Sequence, residues 1–325
     1  MAVKEGSFEE LRERMLASAK AGISEAYSSE EYALIQAINA YLETNKSYNL
    51  TYERLTEWFG IYFPEIRISN AKSLADLALL VTKPTPPSIE EVKKILNNDT
   101  MAKTIHEKFS KTIGRKMNLE EKKAVIEFAE GSNNMHRMLT ALEDYIKAAS
   151  ERLLPNTTYL TDEKIAAELL SKAGSMERLA TMPASTVQLL GAEKSLFKHI
   201  KFGSKPPKYG VLFKLPVVNT APRETRGRIA RVYATKICIG LKADYYTKKF
   251  IGKELKQNLD QIVEKIRKEP PRPKKLQPPE RQQRPMRQGH GYGYGYGGGQ
   301  GQERHGRPQR NFDKKHHFKK RPVGH

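Results

Sequence analysis

Lys194, Lys198 and Lys201 stand four and then three residues apart, which on a helix gathers three ammonium groups into one stripe. The run that holds two of them, Gly191-Ala-Glu-Lys-Ser-Leu-Phe-Lys-His-Ile200, reads as a helix opening after a glycine, with Leu196 and Ile200 expected to face a core. A loop follows, Gly203-Ser-Lys-Pro-Pro-Lys-Tyr-Gly210, broken by two glycines and two prolines. Pro222 suits the first turn of a second helix, on which Arg228, Arg231, Thr235 and Lys242 recur at helical spacing. Ala230, Ala234, Ile237 and Leu241 give that helix a neighbouring apolar stripe. Cations fixed on helix faces beside a basic loop suit contact with phosphate groups.

The charge is concentrated where these residues lie. Met182 to Lys249 holds fourteen Lys or Arg against three acids, Glu193, Glu224 and Asp244, whereas residues 1–181 are slightly acidic. The last stretch, from Lys268, carries fifteen bases and four acids, and the whole chain reaches +20. One basic inner segment and one basic tail point to a polyanion, most often nucleic acid.

Catalytic readings find little to stand on. A phosphate-binding loop is absent, since Gly252-Lys253 has Thr247 where the upstream glycine belongs, and no His-Glu-x-x-His pair occurs. Glu193 with Lys194 and His199 can be drawn as an acid–base cluster, but a basic helix gives His199 a better use as an RNA or packing contact. Cys238 is the only cysteine, so neither a disulfide framework nor a Cys-rich zinc site is expected, and it sits in an apolar helical run as a small core residue. We expect no enzyme, no cofactor, no metal and no membrane span.

These basic elements need a frame, and the rest of the chain supplies a helical one. Leu34, Ile38, Tyr41, Asn45, Tyr48, Tyr52, Leu55 and Phe59 alternate steps of four and three. Ala124, Phe128, Gly131, Met135, Met138, Leu142, Tyr145 and Ala149 repeat the pattern. A sustained 3.5 period argues for coiled-coil packing. The two series are of equal length and are expected to pair antiparallel as a rod. Residues 60–118 read as its helical tip, with a helix over Leu74–Val81 and another capped by Ser88. Trp58, Phe59, Tyr62 and Phe63 read as tip core. The Asn156-Thr-Thr158 sequon carries no meaning without secretion. The domain reading is a short extension over 1–27, a rod over 28–155, a compact basic helical domain over 156–268, and a low-complexity tail over 269–325. That tail holds Gly291-Tyr-Gly-Tyr-Gly-Tyr-Gly297 among Arg and Gln, cannot bury a core, and reads as disordered with loose RNA contact.

Met182 to His199, Pro206-Pro-Lys-Tyr-Gly210, Arg226-Gly-Arg-Ile-Ala-Arg231 and Lys236 through Asp244 together resemble the signature of the Nop domain. The resemblance runs from roughly Glu25 to Lys275 and is strongest to the archaeal proteins of box C/D guide ribonucleoproteins. It implies an all-α chain: a long antiparallel coiled-coil arm, a compact helical Nop domain and a disordered basic C-terminal tail. It also implies a scaffold that recognises a kink-turn in box C/D guide RNA together with the kink-turn-binding, ribosomal-type protein already on it. Gly191, Glu193, Lys194, Lys198 and His199 would then lie on the binding helix, and Lys208 in the adjoining loop. Arg226, Arg228, Arg231, Lys236 and Lys242 would follow on the next helices. The coiled coil would be built by Leu34, Ile38, Tyr41, Tyr48, Tyr52 and Leu55 with Phe128, Met135, Met138, Leu142 and Tyr145, and a homodimer would form through that coiled coil. Location would be cytoplasmic for an archaeal-type chain and nucleolar for a eukaryotic one. A separate fibrillarin-type methyltransferase performs the guided ribose 2′-O-methylation in such particles. It docks on a domain ahead of the first arm, where this sequence has only Met1–Tyr27, so the chain is not expected to hold that enzyme alone. A general ribonucleoprotein adaptor or RNA chaperone, like the spliceosomal relatives, is the other reading.

Overall fold

The computed structural model of the chain describes residues 5–83 and 85–269. All regular structure among them is helical. The expectations for the tail lie outside the described residues.

α1 (Glu5–Tyr27) leads into α2 (Glu30–Tyr62), which starts where the Ser29 hydroxyl accepts from the Glu31 amide. Phe8, Leu11, Met15 and Leu16 of α1 are largely exposed. α3 (Ala71–Val81), α4 (Ile89–Leu96) and α5 (Asp99–Ser110) build the tip. α6 (Leu119–Leu153) then returns. Ser88 with Glu91, and Asn118 with Glu121, close reciprocal caps on α4 and α6.

α2 and α6 run antiparallel. Glu30 pairs with Arg152, Tyr41 donates to Glu143 at 2.8 Å, the Tyr48 ring stacks on His136, and Trp58 packs edge-on against Phe128. On α2 all eight expected seam residues are buried or half-buried. On α6 the seam lies one residue further on. Val125, Ala129, Ser132, Leu139, Ile146 and Ser150 are buried, while Met138 is 51% exposed and Tyr145 37%. Ala149 is buried as expected, and Phe128, Gly131, Met135 and Leu142 of the expected series are half-buried beside this stripe. Apolar residues stand on both neighbouring stripes of α6, so the 3.5 period alone does not say which of them faces α2 more fully.

Apolar packing gathers at the two ends of the arm. The tip core joins Leu55, Phe59 and Tyr62 to Leu74, Leu77, Val92, Ile105 and Val125. The base core joins Leu34, Ile38, Ile146 and Ala149 to the remaining helices. Those are α7 (Pro155–Leu160), α8 (Glu163–Ala173), α9 (Met176–Thr181), α10 (Ala184–Leu189) and α11 (Glu193–Phe202), followed after a 3₁₀ turn (Val211–Lys214) by α12 (Pro216–Asn219), α13 (Arg223–Lys242) and α14 (Gly252–Lys268). α13 is central, burying Ile229, Ala230, Tyr233, Ala234, Ile237 and Leu241.

Polar clasps fix this body to the arm. Lys164 of α8 reaches Glu143 at 2.6 Å and Tyr41 at 3.0 Å, and its ammonium holds the Glu143 carboxyl below the usual carboxylate range. Glu31 accepts from the Met176 amide at the start of α9. Buried Asp244, in a π-helical turn over Ala243–Thr247, accepts from the amides of Asn156 and Thr157 and from both their side chains at 2.8–3.1 Å. The sequon residues Asn156 and Thr157 are therefore a buried clasp across the end of α7. Four donors on one carboxylate offset much of the cost of its burial.

Candidate nucleic-acid interface

The basic surface is assembled around the loop between α11 and α13. Gln188 donates to the Lys208 carbonyl at 2.6 Å, and the Gly210 and Val211 amides return to the carbonyls of Gln188 and Leu190 at 3.0 and 2.8 Å. A Cβ on Gly210 would stand 1.9 Å from the Leu190 oxygen, so the loop passes too close for any side chain there. Gly191, at φ +87°, turns the chain into α11 in the left-handed region that favours glycine.

Arg226 secures the same loop from the other side. Its guanidinium donates to the carbonyls of Ala221 and Asn219 at 2.8–3.1 Å, with Phe213 and Tyr209 rings 5.3 and 6.0 Å away. Glu193 turns back to accept from the Gly191 amide at 2.6 Å, and His199 Nδ1 bonds the Ser204 carbonyl. Arg226, Glu193 and His199 thus hold backbone. Glu193 and His199 bond separate backbone atoms rather than each other, so the acid–base drawing has no geometry behind it.

Lys208, Arg228 and Arg231 meet in a cleft of about 450 Å³ that Gln188, Ser185 and Glu224 also line. Arg228 is half-buried and paired with Glu269, whereas Arg231 and Lys208 are exposed. Among the described residues Lys194, Lys198, Lys201, Lys205, Lys208 and Arg231 have no acidic partner within ion-pair distance. Uncompensated cations attract a polyanion over the Debye length. Lys242, at the far end of α13, lies about 20 Å along the helix from Arg228. Lys236, half-buried, falls between them.

α11 departs from expectation. No residue of it is buried: Leu196 is half-buried and Ile200 is 70% exposed. The helix projects from the body and shows Phe197 (69%) and Phe202 (62%) beside its lysines. The spacing of Leu196 and Ile200 assigns those two to a core, because spacing cannot tell an inward stripe from one kept for another molecule. Gln188 was missed as well; a lone amide inside Thr-Val-Gln-Leu-Leu was the available signal.

The family model described as Nop, snoRNA binding domain, fibrillarin, matches residues 40–267. This chain belongs to the Nop family. Among curated relatives, an uncharacterized NOP5 family protein of Methanocaldococcus jannaschii is 35% identical over 74% of the chain and 58% of its own length. Nucleolar protein 56 of Dictyostelium discoideum is 33% identical over 80% of the chain and 51% of itself, and that of Saccharomyces cerevisiae 29% over 79% and 55%. This Nop chain therefore spans about half the length of the curated relatives it matches. A solved fibrillarin/Nop5p complex aligns at 23% identity and a TM-score of 0.43, covering 82% of this chain and 81% of that one, a superposition too weak to build on.

Proposed function

We propose that this Nop chain is a non-catalytic RNA-binding scaffold of a box C/D-type guide ribonucleoprotein. It recognises a kink-turn RNA together with the protein bound to that RNA, and so supports guided ribose 2′-O-methylation by a fibrillarin-type methyltransferase. The observation that carries the reading is α11. It stands off the body with an uncompensated lysine stripe and with Phe197, Ile200 and Phe202 exposed. Lysines suit phosphate, and exposed apolar side chains on either side of them suit a protein surface. One short helix offering both chemistries fits a composite target better than bare RNA. The names of the relatives, snoRNA-binding and nucleolar, support the same assignment.

Binding is then cooperative. Titrating the chain into kink-turn RNA with and without its kink-turn protein should show tight binding only to the loaded RNA. Equal affinity for both, measured with residues 270–325 removed, overturns the composite reading and favours a general RNA adaptor. The arm is proposed to join a second copy, because Leu50 and Met138 are exposed between its two apolar ends and Tyr145 is exposed beside the base core. Sedimentation as a monomer at every concentration removes that part.

A further inference from the structure

The far end of the arm carries a second basic surface, formed by the loop between α5 and α6. The loop is tightly built. The Glu65 carboxylate accepts from the Ile113 amide at 2.7 Å and from Thr112 Oγ1 at 2.9 Å, while Lys108 donates to the Glu65 carbonyl at 2.9 Å. The Arg115 amide reaches the Ile61 carbonyl, and the Arg115 guanidinium lies over the Tyr62 ring and bonds Glu121. Gly114 passes so near Tyr62 that a Cβ would be 1.9 Å from its oxygen. All these contacts point inward.

What the loop shows outward is different. Ile113 is 88% exposed and Leu119 70%. Lys103, Lys111, Lys116 and Lys123 are exposed around them, with Lys122 half-exposed. From Lys108 to Lys123 there are six bases against Glu120 and Glu121, and Glu121 is taken up by Arg115 and the α6 cap. Among the described residues none of those five lysines has an acidic partner within ion-pair distance. Folding needs neither a nearly bare isoleucine on a rigid loop nor unpaired ammonium groups on the loop and the helix ends that flank it.

We propose that this tip is a second RNA-backbone contact, with Lys111, Lys116, Lys122 and Lys123 on phosphates and Ile113 against the sugars between them. Charge selects the occupant: the patch is cationic, so its partner is a polyanion. RNA is favoured over an acidic protein because five unpaired lysines accompany two exposed apolar side chains, Ile113 and Leu119, so charge outweighs apolar surface. The tip lies about 50 Å along α6 from the body, so one RNA can lie along the arm and touch both ends. This contact adds to the RNA reading above, and body and tip variants separate the two.

The test uses the whole chain and kink-turn RNA loaded with its protein, in two lengths. The short RNA ends at the body; the long one carries a duplex extension that spans the arm. Lys111→Glu with Lys116→Glu should weaken the long RNA about tenfold or more and leave the short one unchanged. Ile113→Ser should give a smaller loss on the long RNA alone. Lys111 and Lys116 side chains make no bond that folding uses, so circular dichroism should be unchanged. Lys194→Glu should weaken both RNAs; if it weakens neither, the body reading fails while the tip is still judged on plain duplex RNA, which the double variant should bind less well. Unchanged affinity of the double variant for the long RNA, or equal loss on both lengths, overturns the tip contact. So does loss of an acidic protein partner with RNA binding intact, which makes the tip a protein-docking surface.

Discussion

Arg226 and Lys194 belong to the same basic segment and do opposite work. Arg226 spends its guanidinium on two carbonyls and two aromatic rings, whereas Lys194 has no acidic partner among the described residues and is exposed. Hydrogen bonds from a charged donor contribute about 2 kcal/mol net. Arg226→Ala should therefore lower stability by about that amount. Arg226→Lys should recover little, because an ammonium cannot fork to two carbonyls and stack at once. Lys194→Glu should leave the melting temperature unchanged and abolish the complex with protein-loaded RNA. Thermal melts beside gel shifts check both; a destabilised Lys194→Glu, or a stable and non-binding Arg226→Ala, reverses the two roles. The sequence made the set of cations legible but not this division. Arg226, Arg228 and Arg231 look alike in the chain, and only the backbone bends at Asn219 and Ala221 turn the first inward. Arg231 and Lys208 line one cleft although they stand on a helix and a loop far apart in the chain, a contact that spacing alone cannot supply.

At the scale of elements, helix existence was legible and helix facing only half so. The 3.5 period in α2 names residues that are buried or half-buried, because there the large side chains are the inward ones. In α6 the buried residues are Val125, Ala129, Ser132, Leu139, Ile146, Ala149 and Ser150; Ala149 belongs to the expected series, whose Phe128, Gly131, Met135 and Leu142 are half-buried beside them, while Met138 and Tyr145 are exposed. α5 was not read at all, although Asn98 caps it and Ala102 and Ile105 are buried along it. The tip it belongs to depends on carboxylates that cap and clasp. The Ile113 amide holds Glu65 below the usual range, the Ser88 amide does so for Glu91, and the Asn118 amide for Glu121. A depressed folded-state pKa gives stability that is present above the ordinary glutamate value and lost as pH falls through the folded one. The tip should therefore loosen below about pH 4. Hydrogen exchange at the Ile113 amide is the direct reading: protection should fall on acidification, and Glu65→Gln should lower it at neutral pH and flatten the pH dependence. Unaltered protection across that range sinks the clasp as a source of tip order.

For the whole molecule, the division of charge sets how affinity and specificity are shared. Residues 270–325 hold fourteen bases and three acids, yet they are rich in Gly, Gln and Arg and have no pattern that would shape a pocket. The body holds its uncompensated cations around a loop fixed by Gln188, Gly210 and Arg226 and beside an exposed apolar helix. Shape can discriminate a kink from a plain helix; a dispersed charge cannot. Removing 270–325 should therefore weaken binding to every RNA and make log affinity less steep against log salt, by up to about 0.9 for each phosphate that the tail had neutralised. The preference for kink-turn over plain duplex RNA should stay as it was. Titrations at several salt concentrations, with and without the tail, measure slope and preference together. If the preference vanished with the tail while the slope held, recognition would reside in those last residues, and the ordered surface of α11 and α13 would be only a platform for them.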